Sequence, residues 1–298
     1  MAIRLLASDL DGTFLDHSGK VSAANLQALQ AAQAAGVQVV FVTGRPPRWL
    51  PAVIEQTNFD GYIIAANGGM IIDASTGIIV ETFPIATSTA RVGISRMLAA
   101  MPDLEFGVER ADVGMRIPPI GDIHLHNDWT IEMSPQSEFA MTPGYHPHGS
   151  TLGPIPTGDI MDLVEGDRVV KIVVRPRDSG ALDSDVFLDL VTEALDGVMN
   201  ATHSSPDDVL VEISAAGVSK GATLAVLAAQ LGYQADEVAA VGDMPNDVSM
   251  LDWAGEPYVM GNAHASLHER FDTVIRPHHE DGVAHLLHDL IRRRQVID

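Results

Sequence analysis

The run Asp9-Leu10-Asp11-Gly12-Thr13 directly follows the apolar stretch at residues 3–7, and this junction of a strand-like segment with two carboxylates constrains the chain more than any other feature. Residues i and i+2 of an extended segment share a face, so both carboxylates project to one side of the strand's exit while Leu10 turns toward a core. Gly12 permits the tight turn that a loop around a small charged group requires. A second acidic cluster, Gly242-Asp243-Met244-Pro245-Asn246-Asp247, follows the apolar run at residues 238–241 and repeats the order of strand, then carboxylates. Four carboxylates, from Asp9, Asp11, Asp243 and Asp247, are therefore expected at one site. Like charges in a low-dielectric cleft repel, and each is costly to desolvate, so a cation is required among them. The chain has no Cys and neither motif has a His, and a set of oxygen donors alone suits Mg2+ better than Zn2+ or Cu2+. Mg2+ keeps positions for water or substrate phosphate, which makes a phosphate ester the expected guest.

Strand-like and helix-like patterns alternate at both ends of the chain. Ser22 is the expected N-cap of a helix rich in Ala, Leu and Gln that ends before Gly36, and the β-branched run at residues 37–42 follows. Pro46 and Pro47 suit the opening turn of another helix, and residues 62–66 read as a third strand. Beyond Lys220 the pattern resumes with a helix at 222–231, a strand at 238–241 and a helix near 246–253. Strands at 258–260 and 273–275 and a closing amphipathic helix at 283–294 complete it. The fold class expected is α/β, a doubly wound parallel-sheet core built from residues 1–83 and 214–298. Residues 84–213 differ: they gain Pro, Gly and His, with helix patterns at 88–100 and 183–195 and strand patterns at 169–174, 198–203 and 209–213. That stretch reads as an inserted α+β domain.

Two further segments complete a phosphate-handling set. Thr43-Gly44-Arg45 ends the second core strand ahead of a helix, where a hydroxyl and free backbone N–H groups meet an anion. Lys220, in Gly217-Val218-Ser219-Lys220-Gly221, begins a helix whose expected N-cap is Ser219, and supplies a compact positive charge. Ligands of open α/β sheets bind beyond the carboxyl ends of the strands, which places Asp9, Thr43 and Asp243 on one edge. Taken alone, each segment has a plainer use: Asp-x-Asp-Gly as a turn, Thr43 as a helix cap, Lys220 as a solvated surface charge. Their joint occurrence in this order argues for chemistry.

In that order, Ser8-Asp9-Leu10-Asp11-Gly12-Thr13, Val42-Thr43-Gly44-Arg45, Ala66-Asn67-Gly68-Gly69, Gly217-Val218-Ser219-Lys220-Gly221, Gly242-Asp243-Met244-Pro245-Asn246-Asp247 and Met260-Gly261-Asn262-Ala263 resemble the signature of the haloacid dehalogenase-like (HAD) hydrolases, and specifically the Cof-type phosphatases. Glu280-Asp281-Gly282-Val283 fits as well, and the insert between the Thr43 and Lys220 segments matches the family's larger cap domain. The resemblance implies a HAD-like Rossmannoid core, a substrate-selecting cap, and Mg2+-dependent hydrolysis of small phosphorylated metabolites, with sugar phosphates expected first. It further implies that Asp9 attacks phosphorus to form an aspartyl-phosphate, and that Asp11 protonates the leaving alcohol and then deprotonates the hydrolytic water. Mg2+ would take the Asp9 carboxylate, the Asp11 backbone carbonyl and Asp243, with Asp247 bound directly or one shell out. Thr43, Gly44 and Lys220 would hold the phosphoryl group, and Arg45, Asn67 and Asn246 are candidates for substrate contact. Asn67 equally suits a turn before Gly-Gly, and Arg45 could brace its loop. The pair His278-His279 departs from the family, whose members often carry a small polar or amide residue there, and its role stays open.

Alternatives from the same residues are a phosphomutase or phosphotransferase, which returns the phosphoryl group to a sugar, a signalling receiver phosphorylated on Asp without turnover, and a silent metabolite-binding regulator. The chain's size and its insert argue against the receiver. Forty acidic against 18 basic residues give a formal charge of −22, which argues against nucleic acid or an anionic membrane as partner. No apolar run approaches the roughly 18 residues a membrane helix needs. A reducing, cytoplasmic setting and a monomer or homodimer are expected. Within the cap, His124 and His126 alternate like the polar side of a strand, His146 and His148 sit among Pro and Gly, and Trp129 is expected to pack.

Overall fold

The computed structural model describes residues 2–117, 131–132, 139–147, 151–152, 155–205 and 208–295. Among these, the first half of the chain forms β1 (Leu5–Ser8), α1 (Ala23–Ala34), β2 (Gln38–Val42), α2 (Pro51–Thr57), β3 (Tyr62–Ala65), β4 (Met70–Asp73), β5 (Ile78–Thr82), α3 (Thr87–Ala100), β6 (Leu104–Arg110), β7 (Ile131–Glu132), β8 (Phe139–Met141) and β9 (Thr151–Leu152). The second half forms α4 (Ile160–Leu163), β10 (Val169–Pro176), α5 (Ser184–Leu195), β11 (Met199–Thr202), β12 (Val211–Ala215), α6 (Lys220–Gln230), β13 (Val238–Gly242), α7 (Val248–Trp253), β14 (Glu256–Val259), α8 (Ala265–Arg270) and α9 (Gly282–Gln295). The contacts divide the chain into one unit of residues 1–44, 53–76 and 219–298 and another of residues 45–52 and 77–218. Among the described residues, no helix is long and apolar enough to cross a membrane.

In the first unit the sheet runs β14-β13-β1-β2-β3-β4. All four residues of β1 are buried, the signature of a central parallel strand covered on both faces. It pairs in parallel with β13 and β2, and the parallel ladder continues to β14 and β3. Local chemistry sets the helix starts. Ser22 accepts the Asn25 N–H at 3.0 Å to cap α1, and Ser219 accepts the Ala222 N–H at 3.1 Å to cap α6. Asn25 is buried and ties three segments together: its Nδ2 donates to Phe14 O at 2.8 Å, and its Oδ1 accepts the Ala284 N–H at 2.9 Å. Phe14, Phe41 and Phe59 stack through the core with ring centroids 4.9 and 4.4 Å apart.

Elements of the first unit differ from the sequence pattern, among them α8, which the pattern does not mark. The chain reverses after β3 and returns as β4, antiparallel to it, so this edge is a hairpin where only a third strand is expected. Residues 273–275 form no strand, only a bridge between Val259 and Val274. The run is too short to build a ladder before Pro277, which has no N–H to give.

The second unit carries an antiparallel sheet ordered β11-β12-β10-β6-β8. One face buries Phe106, Val108, Ile172, Val174, Val211 and Ile213 with residues of α3 and α5. The alternate positions on the same strands are charged yet buried: Glu105, Glu109, Lys171 and Glu212, with Lys171 paired to Glu212. Asp183 caps α5 by accepting the Asp185 N–H at 2.9 Å.

Phe41 is fully buried at the middle of the aromatic stack. Phe41→Ala should therefore cost about 3–5 kcal/mol of stability in the first unit, read as a lower urea midpoint. A midpoint within experimental error of the parent would show that the stack contributes little.

Candidate active site

Three strand ends and one helix start deliver the polar groups of the site. Asp9 follows β1 and donates its N–H to Val241 O at 3.0 Å, Thr43 follows β2 and donates to Ile64 O at 2.8 Å, Asp243 follows β13, and Lys220 opens α6. Because the parallel register puts all these strand ends on one edge, pairing alone gathers residues far apart in sequence.

Asp9, Asp243 and Asp247 each offer a carboxylate oxygen within 4.8 Å of the others, and all three are buried. Lys220, 1% exposed, donates from Nζ to Asp9 Oδ1 at 2.6 Å and also to Asp247 Oδ1. Asp247 Oδ2 accepts the N–H groups of Asp243 and Met244 at 2.9 and 3.0 Å, so backbone and lysine hold this carboxylate at both ends. Thr13 Oγ1 donates to Asp243 Oδ1 at 3.0 Å. Gly12 has φ +76°, and a Cβ there would lie 2.2 Å from Asp243 Oδ2, so both the turn and the packing demand glycine.

Asp11 is exposed while Asp9 is buried. The alternation of an extended chain does not reach Asp11, because β1 ends at Ser8 and the N–H groups of Thr13 and Leu15 turn back to Leu10 O at 3.3 and 2.8 Å. Leu10 itself is fully buried. Asn67 lies in the tight turn Ala66–Gly68, whose three residues have φ of 52°, 55° and 99°, a run of left-handed backbone that is strained at Ala66. Its N–H donates to Thr43 O at 3.1 Å, and its Oδ1 accepts from Asn246 Nδ2 at 3.0 Å. Among the described residues, the buried Asn246 Oδ1 has no hydrogen-bond partner. Gly44 adjoins Thr43, whereas buried Arg45 falls in the segment that groups with the second unit. His124, His126, Trp129 and His148 lie outside the described residues; His146 is exposed, and its carbonyl accepts from Arg175 at 2.7 Å.

Residues without an expected role also shape this site. Thr13 stood inside the first motif, and its hydroxyl beside two aspartates was a usable signal. Thr223 Oγ1 donates to Gly68 O at 2.8 Å, and Ser249 Oγ accepts the Gly221 N–H at 3.0 Å. Nothing in the sequence singles those two out.

The electrostatics are unbalanced. Three buried carboxylates face one buried ammonium, leaving two negative charges in excess if all ionise. Burial pushes the Asp9 carboxyl up to about 8; Lys220 opposes that rise, and Asp247 and Asp11 add to it. Burial, then Asp9 and Asp247, holds Asp243 well above the usual carboxylate range. Burial alone would lower Lys220, but Asp247 and Asp9 outweigh it and leave the ammonium above its ordinary value. A close set of hard oxygen donors with surplus negative charge fits Mg2+.

Comparison with known proteins identifies the family. The family profile described as haloacid dehalogenase-like hydrolase matches residues 6–139 and 145–287. The chain is 29% identical over 293 residues to the 5-amino-6-(5-phospho-D-ribitylamino)uracil phosphatase YwtE of Bacillus subtilis (strain 168), covering 97% of this chain and 98% of that protein. It is 27% identical to an HMP-PP phosphatase of Yersinia pseudotuberculosis serotype I (strain IP32953), covering 96% and 94%. Among solved structures, a haloacid dehalogenase-like hydrolase from B. subtilis superposes with a TM-score of 0.73 at 23% identity, covering 96% of this chain and 99% of the other.

The surplus charge has a thermodynamic consequence. Between the ordinary carboxylate value, about 4, and about 8 the folded protein holds a proton on Asp9 that the unfolded chain has lost. More protons bound in the folded state means that stability falls as pH rises through that window. Metal-free protein should thus melt at a lower temperature at about pH 8 than at about pH 5, and Mg2+ should raise the melting temperature more at the higher pH. Calorimetry with chelator or with Mg2+ reads this directly; a melting temperature indifferent to Mg2+ at both pH values would show that the carboxylates hold no cation.

Proposed function

The chain belongs to the haloacid dehalogenase-like hydrolases, and from that premise we propose that it is a Mg2+-dependent phosphatase of small phosphorylated metabolites working through an aspartyl-phosphate on Asp9. One observation carries the reading: Asp9, Asp243 and Asp247 converge within 4.8 Å around a buried lysine that binds only one of the two Asp9 oxygens. The names of the relatives support the substrate class, since one is a phosphatase of a phosphoribityl compound and another of HMP-PP. Sugar and polyol phosphates are the first substrates to test.

In the first half-reaction a carboxylate oxygen of Asp9 attacks phosphorus, the P–O bond to the leaving alcohol breaks, and Asp11 gives that alcohol its proton. In the second, Asp11 takes a proton from water, the water oxygen attacks phosphorus, and the Asp9–phosphorus bond breaks to release phosphate. The two carboxylates need opposite protonation at the start: burial raises the Asp9 carboxyl to about 8, so beside Lys220 it would need a bound cation to be ionised, while exposed Asp11 would give the proton. Mg2+ held by Asp9, Asp243 and the Asp11 carbonyl, with Asp247 bound directly or one shell out, would neutralise these carboxylates and the incoming phosphate. Lys220 has three N–H donors and spends two on Asp9 and Asp247, which keeps the third for a phosphoryl oxygen. Thr43 and the N–H of Gly44 are the remaining phosphate contacts proposed, with Asn67, Asn246 and Arg45 toward the rest of the substrate. The inserted α+β domain would choose that substrate and exclude water.

The purified protein should turn over p-nitrophenyl phosphate many times in the presence of Mg2+. Asp9→Asn should lower kcat by roughly 10⁴-fold or more, and chelation should abolish activity. A single stoichiometric phosphorylation without release would refute the phosphatase and favour a receiver. Ranking kcat/KM over a panel of phosphorylated metabolites then identifies the substrate, and transfer of the phosphoryl group to a sugar in place of water would identify a mutase.

A further inference from the structure

Asn262 lies between β14 and α8, and its carboxamide joins two backbone groups from distant parts of the first unit. Its Nδ2 donates to Gly12 O at 2.9 Å, and its Oδ1 accepts the His278 N–H at 2.9 Å. A carbonyl on one side and an N–H on the other admit only one orientation of the amide, so its oxygen and nitrogen are assigned without ambiguity. The bridge also needs this residue type. Aspartate in its place would set an anion against the Gly12 carbonyl, and an apolar side chain would make neither bond.

Gly12 is where the contact acts. This residue follows Asp11, adopts the left-handed conformation, and approaches Asp243 so closely that no Cβ fits. The Gly12–Thr13 peptide is thus held in place by packing on Asp243, by the Thr13 hydroxyl on Asp243 Oδ1 and by the Asn262 amide on Gly12 O. Asp11 is exposed and directly precedes Gly12, so where its side chain starts is set by this backbone.

We propose that Asn262 is a positioning residue for the acid/base chemistry of Asp11, acting through the Gly12 backbone. The inference rests on the assignment of Asp11 given above. As Asp9 bonds to phosphorus and the ester P–O bond breaks, the departing oxygen takes its proton from Asp11. An alkyl ester depends on that proton; p-nitrophenolate leaves without it.

Asn262→Ala should therefore lower kcat/KM about 10-fold for the best alkyl phosphate of the metabolite panel, and by less than about threefold for p-nitrophenyl phosphate. Asn262→Asp, which keeps the size and loses the donor to Gly12, should show the same discrimination between esters. Equal losses on the two esters, or no loss, would overturn the proposal, since a merely structural residue cannot tell one leaving group from another. Asp11→Asn is the reference. If Asp11→Asn discriminates between the esters and the Asn262 variants do not, the role of Asn262 falls alone; if Asp11→Asn treats both esters alike, the Asp11 assignment falls and takes this inference with it.

Discussion

One ammonium group buried among three carboxylates sets the terms for the rest of the first unit. Lys220 is 1% exposed, and an unpaired charge at that depth would be untenable, so Asp9 and Asp247 must reach it. That requirement dictates how the flanking elements meet. Ser219 ends its loop as the cap of α6, and Gly221 lets the helix start approach the chain at Ser249, where a Cβ would lie 2.1 Å from the backbone oxygen. Gly68 meets the Ser219 carbonyl in the same way, at 2.4 Å from an added Cβ. The glycines around this lysine are close-approach positions, and the cluster is assembled by backbone fit before any side-chain contact is counted.

The same geometry gives opposite surroundings to two aspartates that the sequence presents as a pair. Asp9 inherits the buried end of a central strand, together with the lysine and a raised carboxyl value of about 8. Asp11, two residues on, has left the strand and stands exposed. A carboxylate that a cation and a lysine can keep ionised, next to one with access to a leaving group and to water, is the division that phosphoryl transfer through an acyl phosphate requires. In the proposed reading the fold achieves it by ending β1 at Ser8, with no special side chain needed at position 11.

The second unit shows how an ordinary α+β layer can carry polar groups in its interior. Strand alternation sends Phe106, Val108, Ile172 and Val174 to the face covered by α3 and α5, and sends Glu105, Glu109 and Lys171 to the other. Arg48 binds Glu109 and lies 4.6 Å from the Phe139 ring centroid. Buried pairs of this kind contribute little net stability. The apolar face holds this unit together.

Much of this was legible in the amino-acid order because it is local. Contiguous apolar runs mark β1 and β13, Ser22, Ser219 and Asp183 sit at the helix starts they cap, and the paired aspartates after β1 and β13 announce where charge collects. Oxygen donors without cysteine or motif histidine also make Mg2+ the expected cation from composition alone. Other features depend on register and on partners hundreds of residues away, which no local pattern encodes. Thr13 meets Asp243 across 230 positions, and Asn262 meets Gly12 across 250. The hairpin that adds β4 depends on a partner strand more than on its own residues, and the opposite exposures of Asp9 and Asp11 depend on where β1 stops. Propensity and charge act between neighbours in sequence and so can be read there; depth, register and the mutual approach of loops exist only once the sheet has formed.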